Sequence, residues 1–219
     1  MQLNTVIFDM DGLLIDSEPL WNEAADEIFK QYQLYITPQQ YATTTGMRVK
    51  EFVIWWFNLY KIPLEYAPKA EKDICDLVIN KVQAKGKAMG GIEHIFNFFI
   101  ERKFKIGLAS SSGMDLIDVV VDKLGIRKYL DSLCSAADLV YGKPHPQVYL
   151  NCAGELNSHP LECVCFEDSF NGLIAVKAAR MKCVVVPSLH DSKQVRFNAA
   201  DLKISSLQNF NDLLLQTLE

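Results

Sequence analysis

The chain has 219 residues, of which 49% are hydrophobic and 22% are charged, and its formal net charge is −5. This length permits one large domain or a main domain with a smaller insert, and the composition is typical of a globular protein. The negative charge argues against a nucleic-acid partner, because phosphate backbones select basic surfaces, but it leaves room for a local basic pocket that binds one phosphate.

Nothing in the sequence indicates secretion, a membrane partner or a zinc site. The first residues contain no basic-then-apolar signal region, and no apolar stretch reaches the ~20 residues that a membrane-spanning helix needs. We therefore expect a cytoplasmic protein. The six cysteines form no Cys-x-x-Cys pair and the four histidines are scattered. Cys163 and Cys165, which alternate in an apolar run, are expected to be buried, reduced thiols.

Short apolar runs rich in β-branched residues predict the strands of a parallel sheet. Continuous runs of this length suit strands that are buried on both faces. From about residue 91 onward they alternate with helical patterns, which predicts a doubly wound, Rossmann-like α/β domain with right-handed crossovers. The predicted strands are Thr5–Phe8, Lys105–Ala109, Ser132–Cys134, Cys163–Phe166 and Cys183–Val186, and the predicted helices are Ile92–Ile100, Met114–Leu124, Gln147–Leu156 and Phe170–Ala179.

Residues 17–87 interrupt this alternation with a helical stretch that contains no convincing strand. Ser17 is placed to cap the first helix, with Pro19 in its first turn, where a missing N–H costs little. Residues 51–60 are apolar around most of a helix, which is typical of a buried helix or one that lines an apolar cleft. The glycine-rich exit, residues 85–91, is expected to act as a hinge. The predicted domains are a helical cap at residues 17–87 and an α/β core at residues 1–16 and 88–219.

The strongest chemical signal is Val6–Gly12, an apolar strand that ends in two carboxylates spaced by one residue, with glycine next. Alternate side chains of an extended chain lie on one side, so Asp9 and Asp11 can face a common site. In open α/β sheets ligands bind beyond the carboxyl ends of the strands, which is where this pair falls. An acidic turn would explain Asp-Gly alone, but a strand that closes on Asp-x-Asp-Gly is more specific for a functional site.

A serine-rich junction follows the second predicted strand. Ile106–Ser110 is followed by Ser111 and then by a helix. A hydroxyl beside free N–H groups at a helix start is suited to holding a phosphate oxygen. Simple helix capping explains the same serines equally well.

The remaining polar strand ends are a lysine loop and a second acidic pair. Lys143 lies in a loop that is stiffened by prolines on both sides of His145. Taken alone, such a lysine is more often a solvated loop residue. The strand that ends at Phe166 is followed at once by Glu167 and Asp168.

These four motifs resemble, in order and in placement at strand ends, those of the haloacid dehalogenase superfamily, and the resemblance covers essentially the whole chain. The helical insert is similar in position to the helical cap of the branch that contains β-phosphoglucomutases and small sugar phosphatases. Within that branch, Asp9–Trp21 and Lys143–Tyr149 look most like bacterial 2-deoxyglucose-6-phosphate or hexitol phosphatases.

The resemblance implies a phosphatase that acts on a small phosphorylated sugar. Asp9 would attack phosphorus and form an aspartyl-phosphate, while Asp11 would protonate the leaving oxygen and then accept a proton from water. Lys143, Ser110 and the neighbouring Ser111 would bind the transferring phosphoryl group and stabilise its charge.

The resemblance also implies a magnesium cofactor. Magnesium prefers hard oxygen ligands and often takes only a few carboxylates, with water and phosphate completing its octahedron. Asp9, the backbone carbonyl of Asp11, and Asp168 fit that need. Glu167 is either a further ligand or a neighbour that holds the ligands in place.

The inserted cap is expected to decide the substrate. Arg48, in the loop at residues 45–48, is expected to clamp a phosphate or to bind sugar hydroxyls, and a surface arginine at a helix start is an equally good interpretation. Trp21, Trp55 and Trp56 are candidates for stacking on a sugar face, although packing explains at least two of them. Mutases of the resembled branch carry a histidine where this chain has Trp21, which favours hydrolysis.

Three other functions are compatible with parts of the pattern. Dehalogenases of the resembled superfamily lack the second aspartate, so Asp11 argues against that activity. A β-phosphoglucomutase-like sugar phosphomutase shares all four motifs and is the main alternative. A non-catalytic binding module would be expected to have lost Asp9, Asp11 or Asp168.

Overall fold

The computed structural model describes residues 2–189 and 191–219. Its centre is a parallel six-stranded sheet with the strand order β3-β2-β1-β4-β5-β6. The doubly wound α/β fold and the five expected strands are therefore confirmed. The short edge strand β6 was not predicted, because two residues are too few to show a pattern. The strands are β1 (Thr5–Phe8), β2 (Lys105–Ser110), β3 (Ser132–Ser135), β4 (Cys163–Glu167), β5 (Lys182–Val185) and β6 (Leu202–Lys203).

The register of the central strands brings their carboxyl ends together. Phe8 of β1 is aligned with Leu108 of β2 on one side and with Phe166 of β4 on the other. The chain moves from β1 towards β2 and β3, and it then crosses back to place β4 on the opposite side of β1. The strand order thus reverses beside β1, and such a switch point opens the crevice in which α/β sheets bind ligands.

Helices cover both faces of the sheet and bury its apolar strands. One face packs on α5, α6 and α9, and its core includes a cluster of aromatic rings around Phe8, Phe99 and Phe166. The other face packs on α7 and α8, where Cys163 and Cys165 are buried, free thiols as expected. These helices are α5 (Ile92–Glu101), α6 (Met114–Lys123), α7 (Gln147–Glu155), α8 (Phe170–Ala178) and α9 (Asp212–Leu218).

The segment between β1 and α5 is helical, as the sequence predicts. Its long helices pack through apolar side chains such as Phe29, Val53, Phe57, Ile74 and Val78, which are all buried. We call residues 17–87 of this segment the insert. Its helices are α1 (Glu18–Phe29), α2 (Pro38–Tyr41), α3 (Val49–Tyr60) and α4 (Ala67–Lys85).

The chain enters and leaves the insert through two segments that lie side by side. The Asp16 N–H donates to the Lys87 carbonyl at 2.9 Å, and the Met89 N–H donates to the Leu14 carbonyl at 3.0 Å. Gly91 follows with φ +92°, and a Cβ there would lie 2.3 Å from the backbone nitrogen of Gln208. Close packing therefore explains this glycine, while the hinge and the domain boundaries stay predictions. Within the described residues, no helix is long and apolar enough to cross a membrane.

Candidate active site

Asp9 and Lys143 form a buried ion pair at the carboxyl end of β1. The Lys143 ammonium donates to Asp9 Oδ1 at 2.5 Å and to Glu167 Oε1 at 2.7 Å. It also lies 3.1 Å from the Ala109 carbonyl and 3.1 Å from the Tyr149 hydroxyl. Lys143 is thus a fixed charge rather than a solvated loop lysine. Its contact leaves Asp9 Oδ2 as the oxygen that is not engaged by the ammonium.

Asp168 follows β4 and lies beside Asp9. Carboxylate oxygens of Asp9, Glu167 and Asp168 all lie within 4.8 Å of one another. Gly12 makes room for this cluster, because a Cβ there would lie 2.2 Å from Asp168 Oδ2 and its φ is +75°. The one ammonium beside these three carboxyl groups contacts Asp9 and Glu167 but not Asp168, so the donor set fits a divalent cation that prefers oxygen.

Glu167 differs from the other two carboxylates because protein donors occupy both of its oxygens. Oε1 accepts hydrogen bonds from Lys143 and from the Tyr149 hydroxyl, and Oε2 accepts from the N–H groups of Asp168 and Ser169 and from the Ser169 hydroxyl. Gly172 leaves space for this carboxylate, since a Cβ there would lie 1.7 Å from Oε1. Of the two expected roles, this bonding favours a neighbour that orients Lys143 and Asp168 over a direct metal ligand.

Burial and charge set the protonation of the cluster. Burial raises the pKa of Asp9 from 3.8 to about 8, against the opposing pull of Lys143 and with added repulsion from Glu167. Burial together with the charges of Glu167 and Asp9 raises the pKa of Asp168 well above its usual range. The pKa of Glu167 is lowered, because Lys143 and the hydrogen bonds outweigh the effect of burial. A bound cation would therefore favour the ionised forms of Asp9 and Asp168.

Four donors orient the Asp11 carboxylate. Oδ1 accepts from the Ser17 hydroxyl at 2.6 Å and from the Trp21 indole N–H at 2.9 Å. Oδ2 accepts from the hydroxyls of Ser112 at 2.7 Å and Ser110 at 3.3 Å. Ser17 occupies the N-cap position of α1 but makes no side-chain cap. The expectation that Ser17 caps this helix is therefore wrong, since its hydroxyl is used by Asp11.

The insert and the sheet domain enclose a cavity of about 270 Å³ above these carboxylates. Its core wall carries Asp9, Asp11, Lys143 and Asp168, with the serines Ser111, Ser112 and Ser169. Its insert wall is mainly apolar, with Trp21, Ala25, Tyr41, Met47, Val49, Phe52 and Ile74, but it also carries the polar side chains of Glu18, Asn22, Thr44 and Thr45. The loop at residues 45–48 of the insert contacts the core directly. The Ser111 hydroxyl donates to the Gly46 carbonyl at 3.0 Å, and the Asn171 side chain donates to the Thr45 carbonyl at 2.9 Å.

The cap residues that the sequence singled out fall in different places. Trp21 lines the cavity, whereas Trp55 is 53% exposed and Trp56 is buried in the insert. Arg48 is neither at the surface nor on the cavity wall: it is 7% exposed, and its guanidinium contacts backbone carbonyls of residues 136–140. In this structure the expected clamp on substrate is therefore replaced by a contact with the core.

Two residues that complete the site, Ser112 and Tyr149, were not predicted from the sequence. Ser112 belongs to the serine run after β2, and only the turn geometry shows that it contacts Asp11 while Ser110 lies fully buried behind it. Tyr149, in the segment that carries the lysine motif, bonds both Lys143 and Glu167. A buried tyrosine six residues after a loop lysine gives no separate signal.

Comparisons with known proteins agree with this geometry. A family model described as haloacid dehalogenase-like hydrolase matches residues 3–180. Hexitol phosphatase B of Escherichia coli K12 is 38% identical over 94% of this chain and 93% of its own length. A phosphorylated carbohydrates phosphatase of Thermotoga maritima is 30% identical over 87% of this chain and 89% of its own.

A solved structure shows the same fold at lower sequence identity. β-Phosphoglucomutase from Clostridium difficile superposes with a TM-score of 0.87 over 99% of this chain and 97% of its own, at 22% identity. At that identity the likeness supports the fold and not the activity. With the family match covering most of the residues and the four motifs gathered at one cavity, the chain belongs to the haloacid dehalogenase-like hydrolases.

Proposed function

We propose that this hydrolase is a magnesium-dependent phosphatase that removes phosphate from a small sugar phosphate, such as 2-deoxyglucose 6-phosphate or a hexitol phosphate. The observation that carries the proposal is that Asp9, held by Lys143, and Asp11 share the core wall of one cavity. Membership of the hydrolase family and the phosphatase names of the relatives support a phosphoric monoester hydrolase. The expected cytoplasmic location stays a prediction.

In the proposed first step, Asp9 Oδ2 attacks phosphorus and the bond from phosphorus to the sugar oxygen breaks. Lys143 fixes the nucleophile through Oδ1 and stays charged, because Asp9 and Glu167 hold its pKa above the usual range against the effect of burial. Ser111 and Ser112 bring two hydroxyls of the serine run to the cavity wall. Each would donate to a phosphoryl oxygen after turning away from its present acceptor, the Gly46 carbonyl for Ser111 and Asp11 Oδ2 for Ser112. Magnesium, bound by Asp9, Asp168 and the Asp11 carbonyl, would supply positive charge beside the phosphoryl group.

Asp11 would give its proton to the departing sugar oxygen and, in the second step, take one from the water that displaces Asp9. The donors around Asp11 indicate which oxygen holds this proton. The indole N–H of Trp21 can only donate, so it favours an unprotonated Oδ1. The serine hydroxyls at Oδ2 can turn from donor to acceptor, so they tolerate a proton on that oxygen. We therefore assign the mobile proton to Oδ2.

The charge of the cavity wall favours hydrolysis over the mutase alternative. Among the described residues that line the cavity, Lys143 is the only lysine or arginine, while Glu18 and Asp191 add negative charge to the lining. A sugar phosphomutase has to hold a second phosphate, and arginine or lysine is the usual partner for that group. The cavity therefore suits a substrate with one phosphate.

The insert wall favours a leaving group with fewer hydroxyls. Two of its hydroxyls are already bonded within the insert, since the Tyr41 hydroxyl donates to Asp26 at 2.7 Å and the Thr44 hydroxyl donates to the Tyr41 carbonyl at 3.1 Å. Asn22 and Glu18 are the polar side chains that this wall offers to a sugar, and the rest of it is mainly apolar. A sugar hydroxyl buried against the apolar remainder would lose its hydrogen bonds to water. This wall supports the choice of a deoxy sugar phosphate.

A panel of phosphates tests the proposal. We expect magnesium-dependent release of inorganic phosphate. The kcat/KM for 2-deoxyglucose 6-phosphate is expected to be roughly tenfold above that for glucose 6-phosphate, because glucose 6-phosphate has one more hydroxyl to bury without a partner. Glucose 1,6-bisphosphate is expected to be a poor substrate. Isomerised sugar phosphates without phosphate release would contradict the phosphatase, and equal rates for the two hexose phosphates would contradict the role given to the insert wall.

Trp21→Phe tests the orientation of Asp11. The variant keeps an aromatic ring on the cavity wall but loses the donor to Oδ1, so kcat is expected to fall roughly tenfold with little change in KM, since a hydrogen bond to a charged group is lost. Trp55→Phe, an exposed position of the same insert, is the matched control and is expected to behave as the unaltered protein. A higher KM with an unchanged kcat would instead assign Trp21 to stacking on the sugar.

A further inference from the structure

Arg48 is a buried cation of the insert, and its guanidinium contacts the backbone of the α/β core domain. Among the described residues, Arg48 and Lys143 are the only lysine or arginine side chains that are buried. Within the insert, the Arg48 Nη2 group pairs with Glu51 Oε1 at 2.5 Å. The carbonyls of the core that accept from Arg48 are Ala136 (3.2 Å), Ala137 (3.4 Å), Leu139 and Val140 (3.4 Å).

The backbone that Arg48 holds leads directly to the catalytic lysine. Residues 136–142 connect the end of β3 to Lys143, whose ammonium contacts Asp9. Gly142 lies against the arginine, because a Cβ there would be 2.5 Å from Arg48 Nε. A single side chain of the insert thus bonds four carbonyls of the segment that ends at Lys143, and the absence of a side chain at Gly142 allows its approach.

Other hydrogen bonds also join the insert to the core. At the start of the insert, the Ser17 hydroxyl and the Trp21 indole N–H donate to the Asp11 carboxylate. Single neutral donors join Ser111 to Gly46 and Asn171 to Thr45, and the exposed Lys123 donates to the Gln83 carbonyl at 3.0 Å. None of these contacts reaches the loop before Lys143. If the insert moved away, the carbonyls of residues 136–140 would lose the charged donor that fixes them, and the loop would be free to shift.

We infer that Arg48 is a positioning residue, which couples the closed placement of the insert to the placement of Lys143 against Asp9. The guanidinium reaches the loop only when the insert rests on the core. Asp9 and the Lys143 ammonium are therefore aligned when the insert closes the cavity over a substrate. This inference rests on the proposed function in one respect, namely that Lys143 acts in phosphoryl transfer. In this inference the guanidinium of Arg48 binds the loop at residues 136–142 and does not bind the substrate.

Kinetics of three variants separate positioning from substrate binding. In Arg48→Met, which keeps the length but loses the donors, kcat is expected to fall ~10–100-fold with KM changed less than about threefold, as for a misplaced catalytic group. Arg48→Lys, which retains one charged donor, is expected to recover part of kcat. Lys123→Met removes a peripheral contact between the insert and the core, and it is expected to leave both constants unchanged. An increased KM with normal kcat, or full activity of Arg48→Met, would overturn the inference.

Limited trypsin digestion tests the coupling without turnover. Lys85 and Lys87 lie exposed at the exit of the insert, and we expect Arg48→Met to be cut there several-fold faster than both the unaltered protein and Lys123→Met. Equal cleavage of all three would overturn the inference even if the protein is a phosphatase. Conversely, faster cleavage of Arg48→Met in a protein that releases no phosphate from the panel would contradict the proposed function and leave the contact of Arg48 with the core supported.

Discussion

Replacement of Asp9 by asparagine is expected to abolish phosphate release, with a loss of about 10⁴-fold or more in kcat, comparable to the loss of other covalent nucleophiles. Asparagine is nearly isosteric and its amide oxygen can still accept the hydrogen bond from Lys143, but it offers no carboxylate for attack on phosphorus. The measurement is inorganic phosphate release from the best compound of the panel, with magnesium and with chelator. Residual release above a few per cent would mean that another group is the nucleophile.

The same variant is expected to change how the stability of the metal-free protein depends on pH. The pKa of Asp9 is raised from 3.8 to about 8 in the folded protein, first by burial, so the folded state holds this proton more tightly than the unfolded state does. Stability from this group is therefore present at low pH and is lost as pH rises from about 4 to about 8. In chelator, the melting temperature of the unaltered protein should fall between pH 6 and pH 8 more steeply than that of Asp9→Asn.

Magnesium provides the control for this comparison. A cation that takes the place of the proton stabilises the folded state in the same pH range, so added magnesium should raise the melting temperature of the unaltered protein more at pH 8 than at pH 6. The increase should be smaller in Asp9→Asn, which has one ionisable ligand fewer. Parallel pH profiles for the two proteins in chelator would contradict the raised pKa of Asp9.

The parts of the site that were predicted from sequence are those that follow from strand geometry. Parallel strands end at one edge of the sheet, so the apolar runs of β1 and β4 place Asp9 and Asp168 at that edge. The pairing of β1 with β4, which the sequence did not predict, then brings the two residues together. Lys143 lies on a loop and was placed by the resemblance to the superfamily. In the structure it closes on the same edge, through contacts with Asp9 and Glu167.

The parts that were not predicted depend on contacts between segments far apart in the chain or on the shape of a turn. Ser17 has the pattern of a helix cap, and only the turn after β1 brings its hydroxyl 2.6 Å from Asp11. Arg48 has the pattern of an exposed helix start, and it becomes buried only because the insert rests on residues 136–140 of the core. Local propensity carries no information on either distance, since tertiary packing decides which partner a polar side chain meets.

Glu167→Gln and Asp168→Asn are expected to shift the stability of the metal-free protein in opposite directions, although the two residues are adjacent and each change removes one charge. Glu167 accepts from five donors, so an amide group in its place would turn an NH₂ towards groups that also donate, and it would weaken the buried pair with Lys143. We expect a loss of about 3 kcal/mol in the free energy of unfolding.

Asp168 has a raised pKa, caused by burial and then by the charges of Glu167 and Asp9. Removing its ionisable group is therefore expected to stabilise the folded protein above pH 7.

Urea unfolding in chelator at pH 7.5 measures both changes, and a magnesium titration of phosphate release on the same variants adds the functional contrast. Asp168→Asn removes a ligand, so it is expected to raise the magnesium concentration for half-maximal activity at least ~10-fold, whereas the main effect of Glu167→Gln should be on stability and kcat. Destabilisation by both substitutions would contradict the division of roles. A gain in stability for Glu167→Gln would mean that this carboxylate carries excess charge, and it would assign Glu167 to the metal ligands.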